Sequence, residues 1–137
     1  TWIVALLLSS VAYAGENEIR ISYREFFDAI RQVETGSHAN EGRDAIGDGG
    51  NSLGPYQIQR AYWLDANVPG DYEDVKDKAY AEKVMIAYFK RYGSDSPTPE
   101  ELARLHVGGP RGANKDATIP YWEKVRGIIL KEHGYGR

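Results

Sequence analysis

The chain has 137 residues, of which 42% are hydrophobic and 27% charged, enough apolar material for one packed domain and too much for a disordered segment. Its 17 Lys and Arg face 20 Asp and Glu, a formal net charge of −3, which argues against a nucleic-acid module that works by neutralising phosphates. Cysteine is absent, so disulfides, a Cys-ligated zinc site and thiol nucleophiles are excluded; the three His are too scattered to suggest a His-based metal site, a calcium loop around Asp44, Asp48 and Asn51 lacks the EF-hand spacing, and no cofactor is expected.

Residues Trp2–Leu8 form an uncharged apolar run, followed by small residues and Ala12-Tyr13-Ala14 before Gly15-Glu16. This is the hydrophobic region and A-x-A cleavage pattern of a secretory signal peptide, here lacking Met and a basic start. The run is too short to span the roughly 30 Å of bilayer hydrocarbon, so stable membrane insertion is not expected. Residues 1–14 are therefore assigned to an export signal and residues 15–137 to a single domain, secreted or periplasmic. Export without cysteine points to a bacterial protein held by its core, since small secreted animal domains more often carry disulfides.

Residues 15–21 read as a short leader. Ser22-Tyr23-Arg24-Glu25 fits a capping box, opening a helix that runs to about Thr35, with Gly36 just beyond its end. Residues 37–54 are rich in Gly, Asn and Asp; Asp48-Gly49-Gly50-Asn51 sits between apolar residues as a small hairpin or Gly-rich loop. Pro55 can occupy the first turn of a helix over about 56–66. A third helix is predicted over 74–92, with Ala81, Val84, Met85, Tyr88 and Tyr92 at helical spacing and Gly93 after it. Thr98-Pro99-Glu100-Glu101 is a second capping box opening a helix to about 107, which Gly108-Gly109-Pro110 stops. A last helix starts near Thr118 and carries Tyr121, Trp122, Val125, Ile128 and Ile129.

Glu34 departs from this pattern. On a wheel of about 100° per residue it falls among Tyr23, Phe27 and Ile30, while Arg24, Glu25, Asp28, Arg31 and Gln32 lie off that stripe. A carboxyl on the apolar face, in the last turn where the helix dipole is negative, has reason to pair or to keep its proton. A proton-bearing carboxyl is what general acid catalysis requires. The alternative is a Glu at a frayed helix end, reaching solvent or an Arg. Downstream lie Asp44 and Asp48 in the Gly-rich element, then the tight Gly54-Pro55 turn. An acid-bearing helix end beside a hairpin with further carboxylates can form a cleft wall of the kind used in glycoside hydrolysis.

The chain resembles the invertebrate-type (destabilase) lysozymes. The likeness is carried by Val33-Glu34-Thr35-Gly36, Ser52-Leu53-Gly54-Pro55-Tyr56-Gln57-Ile58 and Tyr62-Trp63-Leu64-Asp65. It continues through Tyr88-Phe89-Lys90-Arg91-Tyr92-Gly93, Ala103-Arg104-Leu105-His106-Val107-Gly108-Gly109-Pro110 and Tyr121-Trp122-Glu123-Lys124-Val125. The ordered set extends over about residues 25–130. It implies an α+β, lysozyme-like fold, mainly α-helical with a small β-hairpin, and cleavage of β-1,4-glycosidic bonds in peptidoglycan with retention. The family's acid falls on Glu34. Its Asp falls best on Asp48, with Asp44 the alternative, because the interval from Asp48 to the Gly-Pro turn is slightly short and the interval from Glu34 slightly long. Ser52, Tyr56, Gln57, His106, Gly108 and Gly109 become candidates for substrate contact. Packing roles are also open to Tyr56, to His106 as a core residue and to the Gly108-Gly109 stop. Tyr62, Trp63, Tyr121 and Trp122 read as core.

Three features depart from the family: the missing disulfides, Val107 in place of the usual Asn, and an acidic balance that slows encounter with a polyanionic wall at low salt. Some relatives also cleave isopeptide bonds with a Ser and a His, for which Ser52 and His106 stand in plausible places. Two other readings remain. Glu-Thr-Gly followed by Gly-Pro-Tyr-Gln-Ile is also similar to lytic transglycosylases, which need Glu34 alone. A non-catalytic peptidoglycan-binding protein is the other. The expected partner is the glycan substrate, the expected state a monomer.

Overall fold

Ser22 and Glu25 close the start of the first long helix as their spacing predicts: the Glu25 amide donates to Ser22 Oγ at 3.1 Å and the Ser22 amide to Glu25 Oε1 at 3.2 Å. The computed structural model describes residues 11–14 and 17–135 and is α+β, with five α-helices and five short strands among those residues. None of the described helices is long and apolar enough to cross a membrane. The described residues group into two compact units, one made of those up to Ala29 with those from Tyr92 onward, the other of Ile30–Arg91.

In the first unit, β1 (Val11–Ala14) pairs antiparallel with β2 (Asn17–Arg20), Val11 opposite Arg20 and Ala14 opposite Asn17. Of the export-signal assignment, residues 1–10 lie outside the described residues, whereas residues 11–14 are β1. The stretch read as a short leader contains β2. Helix α1 (Tyr23–Thr35) starts here and places Phe26, Phe27 and Ala29 in the interior. The helices over Pro99–Gly108 and Ile119–Glu132 contribute Leu102, Ala103, Leu105, Trp122, Val125 and Ile129. Thr98 caps the first of these through the Glu101 amide at 3.2 Å, but the Glu101 carboxylate does not close the box. It accepts instead from the Ser94 amide and hydroxyl at 2.6 and 2.8 Å. Arg104 ties the same helix to the segment after it, donating to Thr118 Oγ1 and the Lys115 carbonyl, and also to Glu100, at 2.7–3.0 Å.

The second unit holds a three-stranded antiparallel sheet in the order β3 (Ile46–Gly47), β4 (Ser52–Leu53), β5 (Ile58–Gln59). Here one expectation is corrected: Pro55 does not open a helix. Gly54-Pro55-Tyr56-Gln57 is a β-turn closed by the Gln57 amide on the Gly54 carbonyl at 3.1 Å, with Pro at the position its fixed φ favours. Leu53 thereby faces Ile58 across β4 and β5, and α2 (Arg60–Ala66) begins only afterwards. The predicted helix over 74–92 is likewise shorter. A 3-10 turn over Tyr72–Lys76 has its own capping box between Asp71 and Asp74. Asp77 then caps α3 (Lys78–Tyr92), accepting from the Tyr80 amide at 2.9 Å. Helix α4 (Pro99–Gly108) lies within a residue of its predicted limits, and α5 (Ile119–Glu132) starts one residue after Thr118.

One buried hydrogen bond organises the second unit. Thr35, 1% exposed at the end of α1, donates from Oγ1 to the Pro55 carbonyl at 2.7 Å. Gly42 sits against this pair with φ +85°, where a Cβ would lie 2.2 Å from Thr35 Oγ1 and 3.1 Å from Pro55 Cα. Gly49, in the loop between β3 and β4, also has positive φ, but nothing lies within 4 Å of its Cβ position.

Gly42→Ala combines left-handed backbone strain with overpacking and should cost roughly 2–4 kcal/mol, whereas Gly49→Ala should cost only about 1 kcal/mol of strain. Denaturant titration of both variants measures the difference, and equal costs would remove the steric role of Gly42. In the first unit, Glu25 also meets His133 Nε2 at 2.5 Å. Burial acts to raise the Glu25 pKa, but hydrogen bonds from His133 and Ser22 and the His133 charge outweigh it and hold the carboxyl below its ordinary 4.5. A carboxyl depressed on folding stabilises above its unfolded pKa, and that contribution fades as pH falls through the folded value. Glu25→Gln should therefore lower Tm at neutral pH and converge with the unsubstituted chain in acid, as thermal melts across pH would record.

Candidate active site

Glu34 is the penultimate residue of α1 and is half-buried. Its place is set by its neighbour: the Thr35 bond to Pro55 pins the last turn of the helix against the Gly-Pro turn. Glu34 also lies near Tyr62. The hydroxyl of Tyr62 is pushed well up, first by burial, then by Tyr88 and by the negative charge of Glu34. Tyr62 stacks on Tyr88 with ring centroids 3.7 Å apart and planes within 9°. Its sequence context reads as core. The structure makes it a protonated hydroxyl beside the candidate acid.

Asp48 begins the 3-10 turn between β3 and β4, with φ +51°. Asp and Asn tolerate that conformation better than most residues. Its side chain is exposed and oriented by Ser52, whose Oγ donates to Oδ2 at 2.6 Å. Its carbonyl accepts from Asn51 Nδ2 at 2.9 Å, so backbone and side chain are both held. Oδ1 carries no hydrogen bond among the described residues. Asp44 is exposed and has no comparable support from a neighbouring side chain among the described residues. The unit thus presents two carboxyls of different character, one partly withdrawn at a helix end and one exposed on a fixed hairpin. One can exchange a proton with a leaving group while the other faces developing positive charge.

The remaining candidates divide sharply. Ser52 is 1% exposed and serves Asp48, not a ligand directly. Tyr56 is fully buried and donates its hydroxyl to the buried carboxylate of Glu82, so it offers no ring face to a sugar. Gln57, with φ +53°, donates its side-chain amide to the carbonyls of Ala45 and Gly54 at 3.2 and 3.0 Å and braces the turn. These lie with Glu34 and Asp48 in the Ile30–Arg91 unit. His106, Gly108 and Gly109 belong to the other unit. There His106 is buried, its ring centroid 6.5 Å from that of Tyr121. The Gly108 carbonyl accepts from Lys115 Nζ at 2.7 Å, and Gly109, at φ +83°, accepts from the Gly112 amide at 2.7 Å. Both glycines end α4 by turning the chain. Among the described residues, no group of His, Asp and Glu is arranged to hold a metal ion.

Comparison with known proteins agrees with this architecture. The lysozyme of Magallana gigas is 42% identical over 79 residues, an alignment covering 54% of this chain and 58% of that protein. The lysozyme of Meretrix lusoria is 38% identical over 85 residues, covering 58% and 70%. The matched part thus spans 58% and 70% of the length of these two relatives. Among solved structures, Tapes japonica lysozyme superposes with a TM-score of 0.64 at 28% identity, over 74% of this chain and 86% of that one. Meretrix lusoria lysozyme in complex with Aeromonas hydrophila PliI gives 0.64 at 32% identity, over 77% and 88%. The Destabilase family model matches residues 24–127, from the first turn of α1 into α5. With that span matched and a lysozyme-like α+β fold, the chain belongs to the Destabilase family.

Proposed function

We propose that the protein is an exported, monomeric lysozyme that hydrolyses β-1,4-glycosidic bonds in peptidoglycan, with Glu34 as general acid and Asp48 as nucleophile or electrostatic stabiliser. What carries this reading is the contrast between the two carboxyls: Glu34 half-buried beside Tyr62, and Asp48 exposed on a hairpin with Ser52 on one oxygen. In this scheme Glu34 gives its proton to the glycosidic oxygen as the C1–O bond breaks. The oxocarbenium-like carbon meets Asp48 Oδ1, either as a covalent ester or as an ion pair. Water then attacks C1, its proton passing to Glu34, which restores the starting state. Retention requires the two carboxyl groups to work about 5–5.5 Å apart. The family membership and the lysozyme relatives support the substrate class, and the apolar run and A-x-A site of residues 1–14 support export.

The test is product analysis by mass spectrometry after incubation with purified peptidoglycan. Hydrolysis leaves reducing ends, a lytic transglycosylase leaves anhydro ends, and a binding protein leaves the polymer intact. Glu34→Gln should lower the cleavage rate by about 100-fold or more, the scale of a lost general acid. Asp48→Asn should do the same, whereas a normal rate with anhydro product would move the assignment to the single-Glu mechanism. Ser52→Ala should slow kcat by roughly tenfold with little change in KM, because it frees Asp48 to rotate without removing it.

A further inference from the structure

A cleft of about 540 Å³ opens beside the hairpin that carries Asp48, lined by Asn51, Leu53, Gln59, Arg60, Tyr72 and Glu73 among others. That volume lies in the usual range of ligand sites, about 300–1,000 Å³. It is joined to the proposed catalytic hairpin through Asn51, whose side chain is bonded to the Asp48 carbonyl. No candidate from the sequence lines it, and nothing in the proposed bond cleavage uses it.

Its chemistry is set by Arg60. The guanidinium lies over the Tyr72 ring, 4.7 Å from the centroid, and makes no hydrogen bond or ion pair among the described residues. Tyr72 cannot swing away, because its ring is buried and its hydroxyl donates to the Ile58 carbonyl at 2.6 Å. Arg60 therefore places a cation over a fixed platform, among the residues that line the cleft, with no partner on its donors among the described residues. The acidic residue on the same wall, Glu73, is engaged by Lys76 Nζ at 2.9 Å. A planar guanidinium with free donors matches a carboxylate in two-point geometry.

We propose that this cleft is a subsite for a carboxylate of the wall polymer, with Arg60 as its counter-ion; the assignment rests on the glycan-cleaving reading of the carboxyl pair. The carboxylate has two alternative sources: the lactyl group of an N-acetylmuramic acid residue that carries no peptide, or, where the lactyl carboxyl is the amide that bears the stem, the carboxylates of the peptide itself. In a chain of net charge −3, a local cation beside the proposed catalytic hairpin draws an anionic polymer to the right place.

Calorimetric titration tests this with three glycan oligomers: peptide-free, peptide-bearing, and peptide-free with the lactyl carboxyl reduced to the alcohol. The carboxylate-bearing glycan should bind about tenfold more tightly than the reduced one, the scale of one charge-assisted pair. Arg60→Gln should abolish that ratio while leaving Tm unchanged, and Arg60→Lys should restore only part of it. A ratio already present with the peptide-free glycan names the lactyl carboxylate; one that needs the peptide names the stem. If Arg60→Gln keeps the ratio, or weakens the reduced glycan equally, the subsite is disproved even where the wild type cleaves peptidoglycan. If the ratio depends on Arg60 but no cleavage occurs, the subsite stands and the hydrolase reading falls.

Discussion

A single buried contact, the Thr35 hydroxyl on the Pro55 carbonyl, ties the end of α1 to the Gly54–Gln57 turn. Leaving that carbonyl unmatched would cost about 1–3 kcal/mol, so the pair is strongly enforced. Its consequences spread in both directions along the chain. On one side it fixes the end of α1 and so the carbon skeleton of Glu34. On the other it fixes the Gly54–Gln57 turn, which sets β4 against β5, and β4 supplies the Ser52 hydroxyl that orients Asp48. Gly42 makes the approach possible because any side chain there would occupy the space of the Thr35 hydroxyl. Two carboxyls far apart in sequence are thus positioned from one anchor.

A chain without cysteine must restrain its loops by other means, and here tyrosine does much of it. Tyr56 reaches Glu82, Tyr72 reaches the Ile58 carbonyl, and the Tyr80 hydroxyl accepts from Trp63 Nε1 at 2.9 Å. Each ring contributes apolar burial while its hydroxyl satisfies a polar group that would otherwise be stranded. In the first unit Arg104 has the equivalent part, gathering three acceptors from α4 and the segment between α4 and α5. Such contacts are specific in a way that generic apolar packing is not, because they demand one rotamer and one register. They hold in place segments as irregular as residues 36–57, where strands are only two residues long.

Specific internal bonding also shows which of the sequence candidates brace the fold. Tyr56, Gln57 and Ser52 sit in one of the motifs that carry the family resemblance, yet each turns inward to support backbone or another side chain. Arg60, outside every motif singled out in the sequence, lines a cleft and makes no hydrogen bond or ion pair among the described residues. A motif records what the local backbone needs in order to form, and that need is often satisfied by the very polar groups that would otherwise be assigned to a ligand.

The sequence by itself determined the helices wherever local hydrogen bonding decides the outcome. Ser22 with Glu25 and Thr98 with Glu101 mark helix starts through contacts three residues apart, and the spacing of Ala81, Val84, Met85 and Tyr88 marks a buried face. It also singled out Glu34 as a carboxyl on an apolar stripe, which is a property of one helix alone. What only the tertiary structure decided is everything that depends on a distant partner. Pro55 is compatible with a helix start or a turn; the bond from Thr35, twenty residues away, and the pairing of Leu53 with Ile58 select the turn. Tyr56 is compatible with a sugar platform or a core, and Glu82, twenty-six residues on, selects the core. Local periodicity cannot contain such choices, because the free energy that makes them comes from groups that meet only after the chain has folded.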